Sequence, residues 1–201
     1  MTSAHATLLR RGKYERRSGR LSTLGFTLIE LIVTFALLAV LLTLAAPSFI
    51  AYQRNAELTS AANSFVAALS AARSEAMKRQ VRAFVIPLSG TNWGSGWQVF
   101  VDVDSSVTSA SIAPGTGDLV VAQQSALQNG VVVAASSFPV AGSTAYVMFN
   151  GNGSMTLLDK TFQRGSLELS NGSESRRVIA NPEGRLRICK PSETGCAETD
   201  F

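Results

Sequence analysis

The sequence predicts an α+β fold in which one long N-terminal helix lies across an antiparallel β-sheet or small sandwich. Three observations predict it. The 21 residues from Phe26 to Ala46 hold a single charge, Glu30. Past Pro47, apolar residues keep recurring at steps of three and four. From Val81 onward, short β-branched and aromatic runs alternate with Gly, Asn, Ser and Pro.

The first element is the apolar run. At about 1.5 Å per residue its 21 residues make a helix of about 32 Å, the thickness of a bilayer's hydrocarbon layer. The flank before it is basic: Arg10, Arg11, Lys13, Arg16, Arg17 and Arg20 stand against Glu15 alone. Such a flank marks the cytoplasmic side and places the remainder outside the inner membrane. A basic stretch before an apolar one also suits a secretory signal, but the run exceeds the usual h-region of about 7–15 residues. A cut after Ala45–Ala46 would leave Pro47 just behind it, and a carboxylate is foreign to such a segment. An ionisable group inside a span costs a few kcal/mol and marks a partner or a function. The bland alternative is a protonated or snorkelling Glu30 near the interface.

The flank also accounts for the charge balance. The chain has 201 residues, a formal net charge of +4 and a sequence pI near 9.4. Without residues 1–25, 12 basic residues face 13 acidic ones. Global basicity is therefore no argument for nucleic acid; only a local cluster could be.

The second element continues the helix to about Gln80. Leu58, Ala62, Phe65, Val66, Leu69, Ala72, Ala76 and Met77 form its apolar stripe. Arg54, Glu57, Arg73, Lys78 and Arg79 fall mostly off that stripe. The strand candidates follow as "VRAFVIPL", "GWQVFVDVD", "DLVVAQQ", "NGVVVAA", "AYVMFNGNG", "GSLELSNG" and "RRVIANPEGRLRIC". In "GWQVFVDVD", Trp97, Val99, Val101 and Val103 alternate with Gln98, Phe100, Asp102 and Asp104. Asn150–Gly151 and Asn171–Gly172 suit hairpin turns. "SSVTSASIAPGTG" is a loop.

"GFTLIE", followed by the apolar run and Pro47, resembles the processing site of the type IV prepilin family. "NWGSGWQVFVDVD", with Trp93 and Trp97, and the late "GRLRIC" are similar to the globular domain of the GspH/FimT branch, the minor pilins and H pseudopilins. The resemblance implies a type IV pilin-like fold. It implies a leader over residues 1–25, a transmembrane and filament-core helix over 26–46, its amphipathic continuation over 47–80, and a periplasmic β-rich domain over 81–201. It also implies cleavage between Gly25 and Phe26 by a prepilin peptidase, and N-methylation of Phe26. Glu30 would then pair with the N-terminal ammonium of a neighbouring pilin or pseudopilin, since each charge is costly alone in a low-dielectric bundle and tolerable as a pair.

Little catalytic chemistry is available. The one histidine, His5, lies in the expected leader, so the mature chain has none for a triad or a metal site. No Gly-rich phosphate loop with a following Lys occurs. Asp102 and Asp104 hint at a calcium loop but lack the other ligands, and a strand end explains them better. Asn152 and Asn171 head glycosylation-type triplets that are more simply turns. No enzyme, metal or cofactor is expected. Cys189 and Cys196 enclose "KPSETG". Outside the inner membrane a disulfide is expected, free thiols being the alternative. A closed loop of about eight residues contributes about 2.5 kcal/mol in the chain-entropy account.

One local basic cluster remains: Arg176, Arg177, Arg185, Arg187 and Lys190, opposed by Glu183. On a strand, Arg185 and Arg187 share a face, about 6.6 Å apart by strand rise, while Leu186 and Ile188 point inward. Gly184 frees the backbone at the entrance. Guanidinium groups suit phosphate oxygens. Gly184-Arg185-Leu186-Arg187 matches the "GRxR" motif implicated in DNA binding in the FimT family. The similarity implies a minor pilin that binds double-stranded DNA in natural transformation. The bland reading is an exposed strand face whose arginines pair with acids on a neighbouring subunit. The alternatives are a type II secretion pseudopilin of GspH type, and a membrane-anchored periplasmic binding domain that forms no filament.

Overall fold

The computed structural model describes residues 25–200. The expected leader, apart from Gly25, lies outside the described residues. The chain divides between Leu44 and Ala45 into two units, and one helix, α1 (Leu28–Arg79), contributes to both.

In the first unit the helix begins with a cap. The Thr27 hydroxyl accepts from the Glu30 amide at 3.2 Å, and the Thr27 carbonyl accepts from Leu31. That is half of the T-x-x-E capping arrangement, and it places Glu30 in the first turn, where a carboxylate favours the helix dipole. The helix therefore starts two residues later than the apolar pattern indicates. Past the cap, two more hydroxyls interrupt the run, and both donate within it. Thr34 donates to the Leu31 carbonyl at 2.9 Å, and Thr43 to that of Val40 at 2.7 Å. Thr34 and Thr43 thus present no unsatisfied hydroxyl donor to an apolar medium. Among the described residues no single helix is long and apolar enough to cross a membrane; Leu28–Thr43 and Ser48–Arg79 taken together meet the requirement by length and composition.

In the second unit the stripe Leu58, Ala62, Phe65, Leu69, Ala72 and Ala76 is fully buried. It packs against two four-stranded antiparallel sheets. One runs β3 (Leu119–Gln124), β2 (Trp97–Asp102), β1 (Arg82–Pro87), β7 (Val147–Phe149). The other runs β10 (Leu186–Cys189), β9 (Glu174–Ala180), β8 (Gly165–Asn171), β4 (Val132–Ser136). A short pair, β5 (Val140–Ala141) and β6 (Thr144–Ala145), stands apart. Ala83, Val85, Val99 and Val101 from the first sheet and Leu167, Leu169, Val178 and Ala180 from the second join the helix in one core. Phe65 stands edge-on to Trp93 and Trp97, with centroids 5.3 and 5.1 Å away. Both tryptophans are therefore core residues; the Trp93 indole nitrogen is the one buried side-chain donor left without a partner among the described residues.

The alternation predicted for "GWQVFVDVD" holds on the helix face for Trp97, Val99 and Val101, but Val103 lies past the end of β2 and is exposed, and the other face does not alternate to solvent. Phe100 is buried too, stacked on Phe84 at 5.1 Å. The loop after β2 folds Val107 and Ile112 over that second face, so the sheet is covered on both sides. Asp102 is consequently fully buried; it pairs with Arg82 and accepts from the Ser106 amide at 3.0 Å. Asp104 and Asp118 lie close by, but their oxygens also serve the loop. Ser106 donates to Asp104, holding its carboxyl below the usual range, and Val103 and Gly115 donate to Asp118. This is the strand-end reading of that pair.

The edge strands β3 and β4 carry no charged residue, and none occurs between Leu119 and Leu158. All six residues of β3 are exposed, including Leu119, Val120 and Val121.

Candidate functional site

Gly184 ends a tight turn, Asn181-Pro182-Glu183-Gly184, between β9 and β10. The Gly184 amide donates to the Asn181 carbonyl at 2.9 Å. The Asn181 side chain, itself buried, accepts from the Arg185 amide at 2.7 Å, and the two backbones pair again through the Asn181 amide and the Arg185 carbonyl at 3.1 Å. Asn and Pro are the residues such a turn favours. The turn is also clamped from the helix. Arg73 donates through Nε to the Gly153 carbonyl at 2.9 Å and through a terminal nitrogen to the Glu183 carbonyl at 3.0 Å.

This clamp explains the glycine. Gly184 has φ +74°, and a Cβ there would lie 2.3 Å from the Gly153 oxygen and 2.6 Å from Arg73 Nε. Gly184→Ala should therefore open the turn and cost on the order of 1–3 kcal/mol from the left-handed backbone alone. Thermal unfolding, with amide exchange at Arg185, measures it; unchanged exchange there would contradict the clamp.

The five cations of the predicted cluster do not form one face. Arg185 precedes β10 and stands at the turn, so it does not share a strand face with Arg187 as expected; the strand begins only where pairing resumes, Leu186 opposite Ala180. Arg185 is exposed, and its guanidinium bonds to no described residue. Arg187 is half-buried, with its guanidinium nitrogens near Gly195, 3.5 and 3.9 Å from the point where a Cβ would stand. Leu186 and Ile188 pack against the main core, as expected. Arg176 and Arg177 are adjacent on β9 and so point to opposite faces. Arg176 donates to Asn55 Oδ1 on the helix at 2.6 Å and lies 3.5 Å from Glu174. Arg177 donates to Glu168 at 2.7 Å and to the Cys196 carbonyl at 3.0 Å. Lys190 lies 3.6 Å from Glu174. Alternation along the strand and two acids, Glu174 on β9 and Glu168 on β8, thus dissolve the cluster.

Cys189 and Cys196 are joined by a disulfide, with Cα atoms 5.8 Å apart. The bridge covers Ile179 on the outer face of β9 and fixes the loop that bears Gly195 beside Arg187. Farther along the same tail, Glu198 accepts from the Ser137 and Ser166 hydroxyls.

Sequence reasoning missed three positioning residues. Arg73 and Asn181 hold the turn, and Thr27 caps the helix. The "NPEG" and "TLIE" strings signal the last two. Nothing local signals Arg73, whose partners lie 80 and 110 residues away.

The model of the GspH family, described as type II transport protein GspH, matches residues 61–184, well over half of the chain. The chain belongs to the GspH family. It is a type IV pilin-like protein of that family, whose members are structural subunits rather than enzymes. Among solved structures the chain is similar to the type IV minor pilin FimU of Pseudomonas aeruginosa (strain PAO1). The identity is 18%, over 73% of this chain and 98% of that one, with a TM-score of 0.52. It is also similar to EpsH, a minor pseudopilin from the Type 2 Secretion System of Vibrio cholerae, at 16% identity, over 68% of this chain and 99% of that one, with a TM-score of 0.47. Identities this low speak to fold alone, and only the FimU score is high enough to use. No curated protein matches. The GspH match ends at Gly184, so Arg185 and Arg187 lie beyond what family membership covers.

Proposed function

We propose that the chain is a minor pilin that is built into a type IV pilus and contacts double-stranded DNA through Arg185 and Arg187. The observation that carries the DNA reading is the exposed Arg185 guanidinium on a turn fixed by Asn181 and Arg73. With the backbone already held, only the arginine side chain has to order on meeting a phosphate. Arg187 adds a second fork on the neighbouring strand, where five N–H donors serve more than one partner. Arg176, Arg177 and Lys190 are held by Glu174 and Glu168 and contribute little.

Two phosphate contacts give a log–log salt slope of about −1.8. Each Arg→Gln substitution at 185 or 187 should flatten it by about one unit. A fragment lacking residues 1–53, titrated with duplex DNA at two salt concentrations, measures this. Undiminished binding by the double variant would remove the DNA assignment.

The filament half of the proposal includes cleavage between Gly25 and Phe26 by a prepilin peptidase, methylation of Phe26, and an inner-membrane stage before assembly with other pilins. It draws support from the uncovered apolar side chains from Phe26 to Leu42 and from the exposed Glu30 among them. Glu30→Ala should leave processing intact and lower the amount of chain in sheared filaments, as quantified by immunoblot. Normal incorporation would refute the pairing of Glu30 with a neighbour's amine and leave it a first-turn carboxylate favoured by the helix dipole.

The second reading, a secretion pseudopilin, is favoured by the family model's own description. It predicts that Arg185→Gln with Arg187→Gln leaves protein export unchanged while Glu30→Ala reduces it.

A further inference from the structure

A concave site of about 320 Å³ lies where the helix enters the folded domain, lined by Tyr52, Arg54, Asn55, Ser173, Glu174 and Lys190. Its chemistry is that of an anion seat. Arg54 is exposed and makes no side-chain hydrogen bond or ion pair with a described residue; its guanidinium passes over Gly172, 3.3 Å from where a Cβ would stand. Lys190 faces it from the end of β10. Asn55 spends its oxygen on Arg176, which leaves its amide nitrogen as a donor. The single acid, Glu174, is shared between Arg176 at 3.5 Å and Lys190 at 3.6 Å. Two cations, Arg54 and Lys190, thus line the site with one carboxylate that Arg176 also approaches, and the site carries excess positive charge.

We propose that this seat binds the phosphate of an anionic phospholipid in the outer leaflet of the membrane that holds the chain before assembly. The inference goes beyond the DNA reading and is independent of it; it rests only on the span over residues 26–46. A bilayer adds about 5–8 Å of headgroup layer beyond each side of its hydrocarbon. Tyr52 and Arg54 follow Ala46 by only six and eight residues, at most about 12 Å of helix, so chain length alone keeps the seat within a long side chain's reach of that layer. A long arginine reaches back toward phosphate from there, and tyrosine suits the interface. Phe49 and Ile50, exposed at 67% and 48%, occupy the turn just below. The seat assigns Lys190 to lipid rather than to nucleic acid.

The test uses the full chain in neutral detergent, titrated with dihexanoylphosphatidylglycerol, dihexanoylphosphatidylcholine or inorganic phosphate, and read by ³¹P line broadening. Saturable broadening is expected for the glycerol lipid and not for the choline lipid. Arg54→Gln and Lys190→Gln should each weaken it about fivefold. Arg54→Lys should retain it, which separates lost charge from lost fold. Glu174→Gln should tighten it, an effect no loss of structure produces. Equal broadening in the Gln variants, equal binding of the choline lipid, or inorganic phosphate competing as well as the lipid would overturn the proposal. So would displacement by duplex DNA, which would return Lys190 to the nucleic-acid reading. A wrong span would show separately, as full chain that stays in the aqueous phase on detergent partitioning.

Discussion

Phe65→Ala should cost about 3–5 kcal/mol of stability, a large share of what a domain of this kind possesses. Phe65 is fully buried, with Trp93, Trp97 and Phe138 rings within 5.9 Å. It is the residue through which the helix meets the turn before β2 and the segment after β4. Truncation removes burial and the edge-on ring contacts, each about 0.5–1.5 kcal/mol, and leaves a cavity walled by rigid indoles that cannot close in. Urea unfolding should show a lower midpoint with an unchanged slope. Phe65→Leu should recover part of the loss. A cost under about 1 kcal/mol would mean that the rings re-pack freely and that the two sheets do not depend on this contact.

Arg82→Met should be nearly as severe, at about 3–5 kcal/mol, because it strands the fully buried Asp102 carboxylate without its cation. The backbone amide of Ser106 still donates to Asp102, which is not enough to replace a charge. The double variant Arg82→Met, Asp102→Leu should regain much of the deficit, since removing both charges also removes the cost of desolvating them. Thermal unfolding of the single and double variants closes the cycle. If Arg82→Met alone were neutral, the pair would be decorative and the second core beneath Val107 and Ile112 self-sufficient.

The helix and most strands were legible because periodicity is a local signal. The stripe from Leu58 to Ala76 appears at the predicted positions, Met77 alone of the predicted set being exposed, and the seven strand-rich strings each contain an observed strand. The second face of β2 was not legible. Phe100 stands among polar neighbours, and only the loop that folds over it makes it core. The basic cluster misled for the opposite reason. Its members are close in sequence, but Arg176 and Arg177 diverge by strand alternation, and Glu168 and Glu174 come from neighbouring positions on paired strands. Cys189 and Cys196 were readable as a pair because their spacing and compartment speak together. Arg73 was invisible as a clamp, since carbonyls 80 and 110 residues distant leave no mark near an arginine on a helix.

The uncharged borders at β3 and β4 bear on how the molecule behaves outside its cell. Sheet margins in soluble proteins are commonly guarded by lysine, proline or twist, and here the guard is only a register slip in each pairing. No ionic repulsion at these margins exists for salt to screen. Raising ionic strength during purification will therefore leave strand-to-strand clumping untouched, and dilution rather than brine is the remedy for a cloudy preparation.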